Sequence, residues 1–521
     1  MIFRSMLWLL LFFTDLFFSG AQASPKMPNF LLTVAENHAA DLIFSLDKFG
    51  SSIDPTPSLS HLAQSGYFHK HAYCTNAGKG KTAFSTLTGL SPNTDLKDFD
   101  YSQSLARYFK SIGYDTAFFG SWTWADTPSQ LGFDHWYILS DPSIFYNPKV
   151  KDLQGSEIVE GHATDVVTDH AIRWLKEVHI TEKPFFVVVA YQSMSRPWIP
   201  PVRMINVYND EWFEAPDNFF SSFEQRTPAN RYQTMNISRD LHTTDDLFFE
   251  ILSDGNETFN KSSTLAKNME SMNEEQRSAW ALSWKPQNEA FARESLDQDS
   301  LAIWKFQRFI KNYLRCLLAL DENIGRLFNF AQTTKEEFHF IYTAERGTFT
   351  GEFGWFGSEW MYEFSARIPL IFSKYSTNNL PKINPSSIVR DIDLHKFIKN
   401  KFSSLSTFQN EPSHFMDEEN ILYFTHNQYP GESHVPPHHG LRTGMYKIIH
   451  YYPFDEWEFY DLLNDPKEEK NIFHESSYFD LINHYQELLT KSGQMYQTST
   501  QFKQFSEPWK RKQRSPDKKT R

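Results

Sequence analysis

Two cysteines in 521 residues are too few to staple a scaffold, so a chain of this length must rest on a buried apolar core. Positive charge is also in short supply. With 51 Lys and Arg against 64 Asp and Glu, the formal net charge is −13, which argues against a nucleic-acid binder and its basic face. Beyond the N-terminal region no apolar run approaches the ~20 residues of a membrane span. A complete phosphate loop is missing as well. Gly80-Lys81-Thr82 is the tail of one, but the glycine it needs five positions earlier is Thr75, so the backbone that would wrap the phosphates lacks its turn.

Apolar and aromatic residues are plentiful, at 40% and 16%, enough for one large domain and a smaller one. Met1 to Ala23 reads as a secretory signal and predicts a secreted or periplasmic protein. Arg4 opens it, Met6 to Phe13 is its apolar run, interrupted soon after by Asp15, and Ala21-Gln22-Ala23 is a small-residue cleavage site. Residues 501–521 form a basic tail, read as a solvated end. Cys74 and Cys316 could form one bridge; two buried free thiols are the simpler expectation. Asn236, Asn256 and Asn260 begin glycosylation sequons.

Strand and helix patterns alternate. Asn29 to Ala35 and Phe338 to Thr343 are short apolar runs with strand character, and each delivers polar residues at its end. Pro184 to Ala190 is a third such run. Helices are predicted at Pro57 to Gly66, from Lys81, over His162 to Glu177 and over Trp304 to Phe330. In the last of these Tyr313, Leu317, Leu320, Ile324 and Leu327 recur at spacings of three and four. Asn209 to Gln298 has few clear signals and reads as a long insertion on the site face or as surface decoration. From about Lys399, strands at Asn420 to His426, Met445 to Tyr452 and Glu456 to Leu463 precede a closing helix at Tyr478 to Ser492.

Ala72 to Gly89 (AYCTNAGKGKTAFSTLTG) resembles the nucleophile segment of the sulfatase family. There a Cys, later oxidised to formylglycine, opens C-x-P-S-R and is followed by an apolar turn and Thr-Gly. Thr88-Gly89 match that ending. Counted back without gaps, the nucleophile position is Lys79, and the Arg position is Ala83. The likeness extends over the mature chain: ALDENIGR at 319–326, GEFGWF at 351–356, WMYE at 360–363, GLRTGMYK at 440–447 and WEFYDLLNDP at 457–466 are similar to family motifs. Iduronate- and glucosamine-type glycan sulfatases are the nearest in pattern.

The resemblance implies an α/β, alkaline-phosphatase-like sandwich with a large mixed central sheet flanked by helices. It divides the chain into a signal peptide (1–23), a sulfatase-like N-terminal domain (27–398), a small C-terminal α/β subdomain of antiparallel sheet plus helix (399–500) and the basic tail. It also implies site positions, and most hold altered residues. The metal ligands fall at Glu36, Asn37, Glu345 and Arg346. The Lys and His positions around the sulfate fall at Ser121, Thr123, Tyr191, Ser195 and Ser358. His438 and His439 take the place of a loop with a substrate-facing His; a metal site with His434 is the alternative reading.

A sulfatase needs a formylglycine hydrate, a cation that polarises the sulfate, and groups that neutralise charge and move protons. Lys79 cannot become formylglycine, and an arginine, always protonated, cannot ligate a cation. The expectation is therefore an impaired or inactive family member that binds sulfated glycan or a protein partner. No cofactor is expected, with Ca2+ only if the family metal site survives. Counting Glu36 and Glu345 against Lys79 and Arg346 predicts an internal ion-pair cluster in place of the cation. An active sulfate- or phosphate-ester hydrolase using Thr75 or Thr82 is the alternative, and a nucleotide-binding protein the weakest reading.

Overall fold

The computed structural model describes residues 27–495, apart from 45–47, 52, 93, 95–99, 124–126, 180–182, 222–225, 250–262, 335–336, 376–384 and 404–419. The signal peptide, the basic tail and the sequons at Asn256 and Asn260 lie outside these. A nine-stranded mixed sheet forms the centre. From edge to edge it runs Tyr67–Phe68, Leu370–Tyr375, Phe338–Ala344, Asn29–Ala35, Phe185–Tyr191, Asp115–Gly120, His135–Leu139, Lys149–Lys151 and Ser156–Ile158. The five strands from Phe338–Ala344 to His135–Leu139 are parallel, and the edges are antiparallel. All seven residues of both Asn29–Ala35 and Phe185–Tyr191 are buried, as apolar runs covered on both faces must be.

Helices Pro57–Ser65, Ala163–His179 and Gln298–Thr333 pack together on one face; Lys81–Thr88, Leu105–Ser111 and Asp391–Ser403 pack together on the other. The long helix starts earlier than its periodicity suggests because the Asp297 side chain caps it, accepting from Ser300 N at 2.8 Å. Asp391–Ser403 runs across position 399, where the smaller region was expected to begin, and packs against Lys81–Thr88.

The Asn209 to Gln298 stretch is more ordered than its composition indicates. It contains helices Thr264–Ser271 and Glu274–Ala292, the latter opened by an Asn273/Gln276 capping box. Pro286 and a weak apolar stripe hide this second helix from periodicity. Trp280 and Trp284 bury against Phe248, and the Arg308 guanidinium lies 4.1 Å over Trp284. Beyond the central body an antiparallel sheet orders Leu422–His426, His438–Arg442, Tyr446–Tyr451 and Glu456–Asp461, with helix Phe479–Met495 beside it.

One motif explains itself in this frame. Asp321, in ALDENIGR, accepts from the Ser58 and Leu59 amides at 2.8 Å each, so it caps the Pro57–Ser65 helix from the long helix. Burial pushes its carboxyl up to about 6. The folded state therefore holds this proton more tightly than the unfolded chain does, and stability falls as pH rises from about 4 to about 6. Asp321→Asn should remove that slope. The melting-temperature difference, variant minus wild type, is expected to rise through this window and level off above it. A difference independent of pH would contradict the assignment.

Candidate functional site

Open α/β sheets place their sites at the C-terminal ends of parallel strands, and the family positions gather there. Ala35 is in register with Ala344, which sets Glu36-Asn37 beside Glu345-Arg346. The Arg346 side chain is fully buried. Its Nε donates to Asn37 Oδ1 at 2.7 Å, Nη1 to the Ala77 carbonyl at 2.9 Å, and Nη2 to Glu36 Oε1 at 3.2 Å and Glu432 Oε2 at 2.5 Å. Burial works against the guanidinium charge, but the Glu432 and Glu36 carboxylates outweigh it and hold the group above its ordinary value. Ser195 Oγ donates to Glu36 Oε2 at 2.6 Å, and Ser358 Oγ to Asn37 Oδ1 at 3.2 Å. Lys79 Nζ stands 4.0 Å from Glu36 Oε1, with a third of its side chain exposed.

Glu345 does something else. The Lys81–Thr88 helix is set by left-handed glycines at both ends, Gly80 at φ 74° and Gly89 at φ 72°. Its free N-terminal amides would suit an oxyanion. They hold the chain's own carboxylate instead: Thr82 N donates to Glu345 Oε2 at 2.9 Å, and Ala83 N to the two oxygens at 3.3 and 3.4 Å. Burial pushes the Glu345 carboxyl up to about 8. The second carboxylate hydrogen-bonded to Arg346, besides Glu36, is thus Glu432, so the cluster differs from the one counted in the sequence by one carboxylate.

A divalent cation does not fit this donor set. Asn37 Oδ1 and Glu36 Oε1 face guanidinium N–H groups, and the Glu345 oxygens face a helix N-terminus. Among the described residues no group of three or more His, Cys, Asp and Glu is placed to hold a metal ion. No cysteine takes the nucleophile's place. Cys74 is buried, donates to the Ala366 carbonyl at 3.3 Å, and has its thiol pushed well above the usual range by burial. Cys74 and Cys316 are both buried and free.

Other predicted side chains turn to other partners. Tyr191 turns its hydroxyl to Thr168 Oγ1, 2.7 Å away on helix Ala163–His179. Ser121 donates to Gln192 Oε1 at 3.2 Å, and Thr123 is exposed. The loop expected around His438 and His439 is the strand His438–Arg442, and neither imidazole is offered to a ligand there. His438 has no exposed surface. Its Nδ1 meets the Pro436 carbonyl at 2.8 Å, and its Nε2 accepts from Met361 N at 3.2 Å. His439 is buried with Nε2 3.2 Å from His450 Nδ1. Burial lowers the pKa of both imidazoles, to about 4 for His438. The sequon asparagine Asn236 uses Oδ1 to cap helix Ile237–Asp240.

Glu432 and Glu359 escaped the sequence reading. Glu359 accepts from the Glu432 and Ser433 amides at 3.0 Å each, fixing the loop that brings Glu432 to Arg346. Glu432 lies 86 positions from Arg346, in a polar stretch with no periodicity to flag it.

The arrangement is a buried guanidinium held by two carboxylates, an amide and a carbonyl at the C-terminal ends of parallel strands. A family model described as Sulfatase matches residues 28–382, and one described as N-sulphoglucosamine sulphohydrolase, C-terminal, matches residues 351–495. The chain belongs to the sulfatase family. It is 31% identical over 500 residues to an N-acetylglucosamine-6-O-sulfatase of Bacteroides thetaiotaomicron, spanning 90% of this chain and 87% of that protein. It is 26% identical over 211 residues to mouse iduronate 2-sulfatase, spanning 34% of this chain and 37% of that one. A solved structure in complex with its substrate D-glucosamine-2-N,6-O-disulfate superposes with a TM-score of 0.79 at 28% identity, covering 92% of this chain and 99% of the other. These matches establish the mixed-sheet sandwich and the family.

Proposed function

We propose that this protein is a secreted sulfatase homologue that binds sulfated glycan without hydrolysing it. The observation that carries the reading is the Arg346 guanidinium, hydrogen-bonded to Asn37 and Glu36 where the family holds its cation. Lys79 at the nucleophile position supports it, since no formylglycine can form there. The glycan class comes from the relatives, which are named for glucosamine and iduronate sulfate esters. A threonine nucleophile is disfavoured. Thr82 is fully buried, with its hydroxyl on the Glu345 carbonyl at 2.6 Å, and Thr75 donates to Asp391 at 2.8 Å.

The test is sulfate release from glucosamine 6-sulfate by the purified mature chain, with its metal content measured after dialysis against calcium. No release and no stoichiometric calcium are expected. Turnover, or one tightly held calcium per chain, would overturn the reading.

A further inference from the structure

We infer that Glu432 is a built-in occupant of an anion seat formed by Arg346 and Lys79, and that the seat takes a monoanionic sulfate ester or carboxylate when the Glu432 side chain swings out. The inference deepens the proposed function and rests on it for the ligand class.

The geometry separates the two carboxylates of the cluster. The Glu36 side chain is 5% exposed and is also held by Ser195; that of Glu432 is 52% exposed. Glu36 is therefore part of the wall, whereas Glu432 reaches the buried Arg346 from the solvent side. The position its carboxylate occupies is one that solvent, and so a ligand oxygen, can reach. Vacating it requires no movement of the loop, because the Glu432 and Ser433 amides stay anchored on Glu359. Rotation of the side chain is sufficient. Lys79, a third exposed and 4.0 Å from Glu36, supplies the second cation. It also helps Arg346 hold the Glu432 carboxyl below its usual range.

Charge defines what fits. Glu36 and Glu432 balance Lys79 and Arg346 while Glu432 is seated. With Glu432 withdrawn, and with the Glu359 and Glu345 carboxyls protonated because burial holds them up to about 7 and about 8, one positive charge remains, which matches a sulfate monoester or a carboxylate and not a neutral sugar. A planar guanidinium edge and a mobile ammonium suit an oxyanion presenting two or more oxygens.

Calorimetric titration of the full mature chain and of Glu432→Ala with glucosamine 6-sulfate, inorganic sulfate, glucuronate and N-acetylglucosamine tests the seat. Glu432→Ala is expected to bind glucosamine 6-sulfate about tenfold more tightly than wild type, the equivalent of about 1.4 kcal/mol. Adding Lys79→Met should abolish the gain, and N-acetylglucosamine should bind neither protein. Glu432→Gln, equal in size, should shift affinity in the same direction, which guards against a folding defect in the alanine variant. A gain shared by free sulfate and glucuronate marks a general oxyanion seat; a gain confined to glucosamine 6-sulfate marks a sulfated-sugar seat. Both support the inference. Unchanged affinity in both Glu432 variants, or a gain that survives Lys79→Met, overturns it. Sulfate release would instead overturn the non-catalytic reading and leave the binding comparison to judge the seat separately.

Discussion

Arg346→Ala should destabilise the protein by ~3–5 kcal/mol, the usual cost of removing one partner of a buried ion pair. The loss comes from what stays behind. Glu36, 5% exposed at its side chain, would keep Ser195 and a distant Lys79 as partners but lose its contact with the guanidinium. Asn37 Oδ1 and the Ala77 carbonyl would each lose a donor. Glu432 suffers less, being half in solvent. Arg346→Lys should recover only part of the loss, because a point charge on a flexible stem cannot serve four acceptors in a planar fork. Equilibrium unfolding in urea measures both. An alanine variant as stable as wild type would show that the cluster does not hold the site together.

Lys447→Met should have an effect of similar size, also ~3–5 kcal/mol, at the last residue of the GLRTGMYK motif, whose ion-pair partners the sequence does not reveal. Lys447 is 1% exposed at its side chain, with Nζ 2.9 Å from Glu363 Oε1 and 2.6 Å from Glu468 Oε1, and it donates to the Met361 carbonyl at 2.8 Å. Arg442 adds a contact to Glu363 at 3.1 Å and Tyr73 another at 2.8 Å. Among the described residues Lys447 is the cation in ion-pair contact with Glu468. Glu468 is fully buried, and burial already pushes its carboxyl up to about 7 with Lys447 opposing. Without Lys447 the C-terminal sheet keeps, among the described residues, only the Arg442 ion pair to Glu363 as an ionic tie to the central body. Thermal unfolding should show a lowered transition, and limited proteolysis should cut first in the C-terminal region. A variant that melts like wild type, with unchanged cleavage, would contradict this role.

These contacts give the family-like motifs a structural role that does not depend on turnover. Glu363 closes WMYE, and Arg442 and Lys447 belong to GLRTGMYK; the two motifs meet as one buried ion cluster. Trp360 of the first motif stacks on His438 with ring centroids 5.7 Å apart. Asp321 of ALDENIGR caps the helix of PSLSHL. Each is an obligation of packing or of buried polar satisfaction, and each persists whether or not a sulfate ester is cleaved. Positions at the mouth of the candidate site carry fewer such obligations. A family-like frame can therefore surround Lys79, Ser195, Ser358 and Arg346.

The chain by itself determined the class of fold and the seats of Glu36, Asn37, Glu345 and Arg346. Buried parallel strands announce themselves as continuous apolar runs, and side chains just beyond their ends have one place to go. By its family resemblance the sequence also sets an arginine and a lysine at the positions that resemblance gives to a cation and a nucleophile. Only the tertiary structure decided how those charges are shared. Glu345 turns to the amides of Thr82 and Ala83, Glu432 arrives from a distant loop, and His438 and His439 sink into a strand. Partner choice among buried charges depends on distances between segments far apart in the chain, and local periodicity carries no information about them.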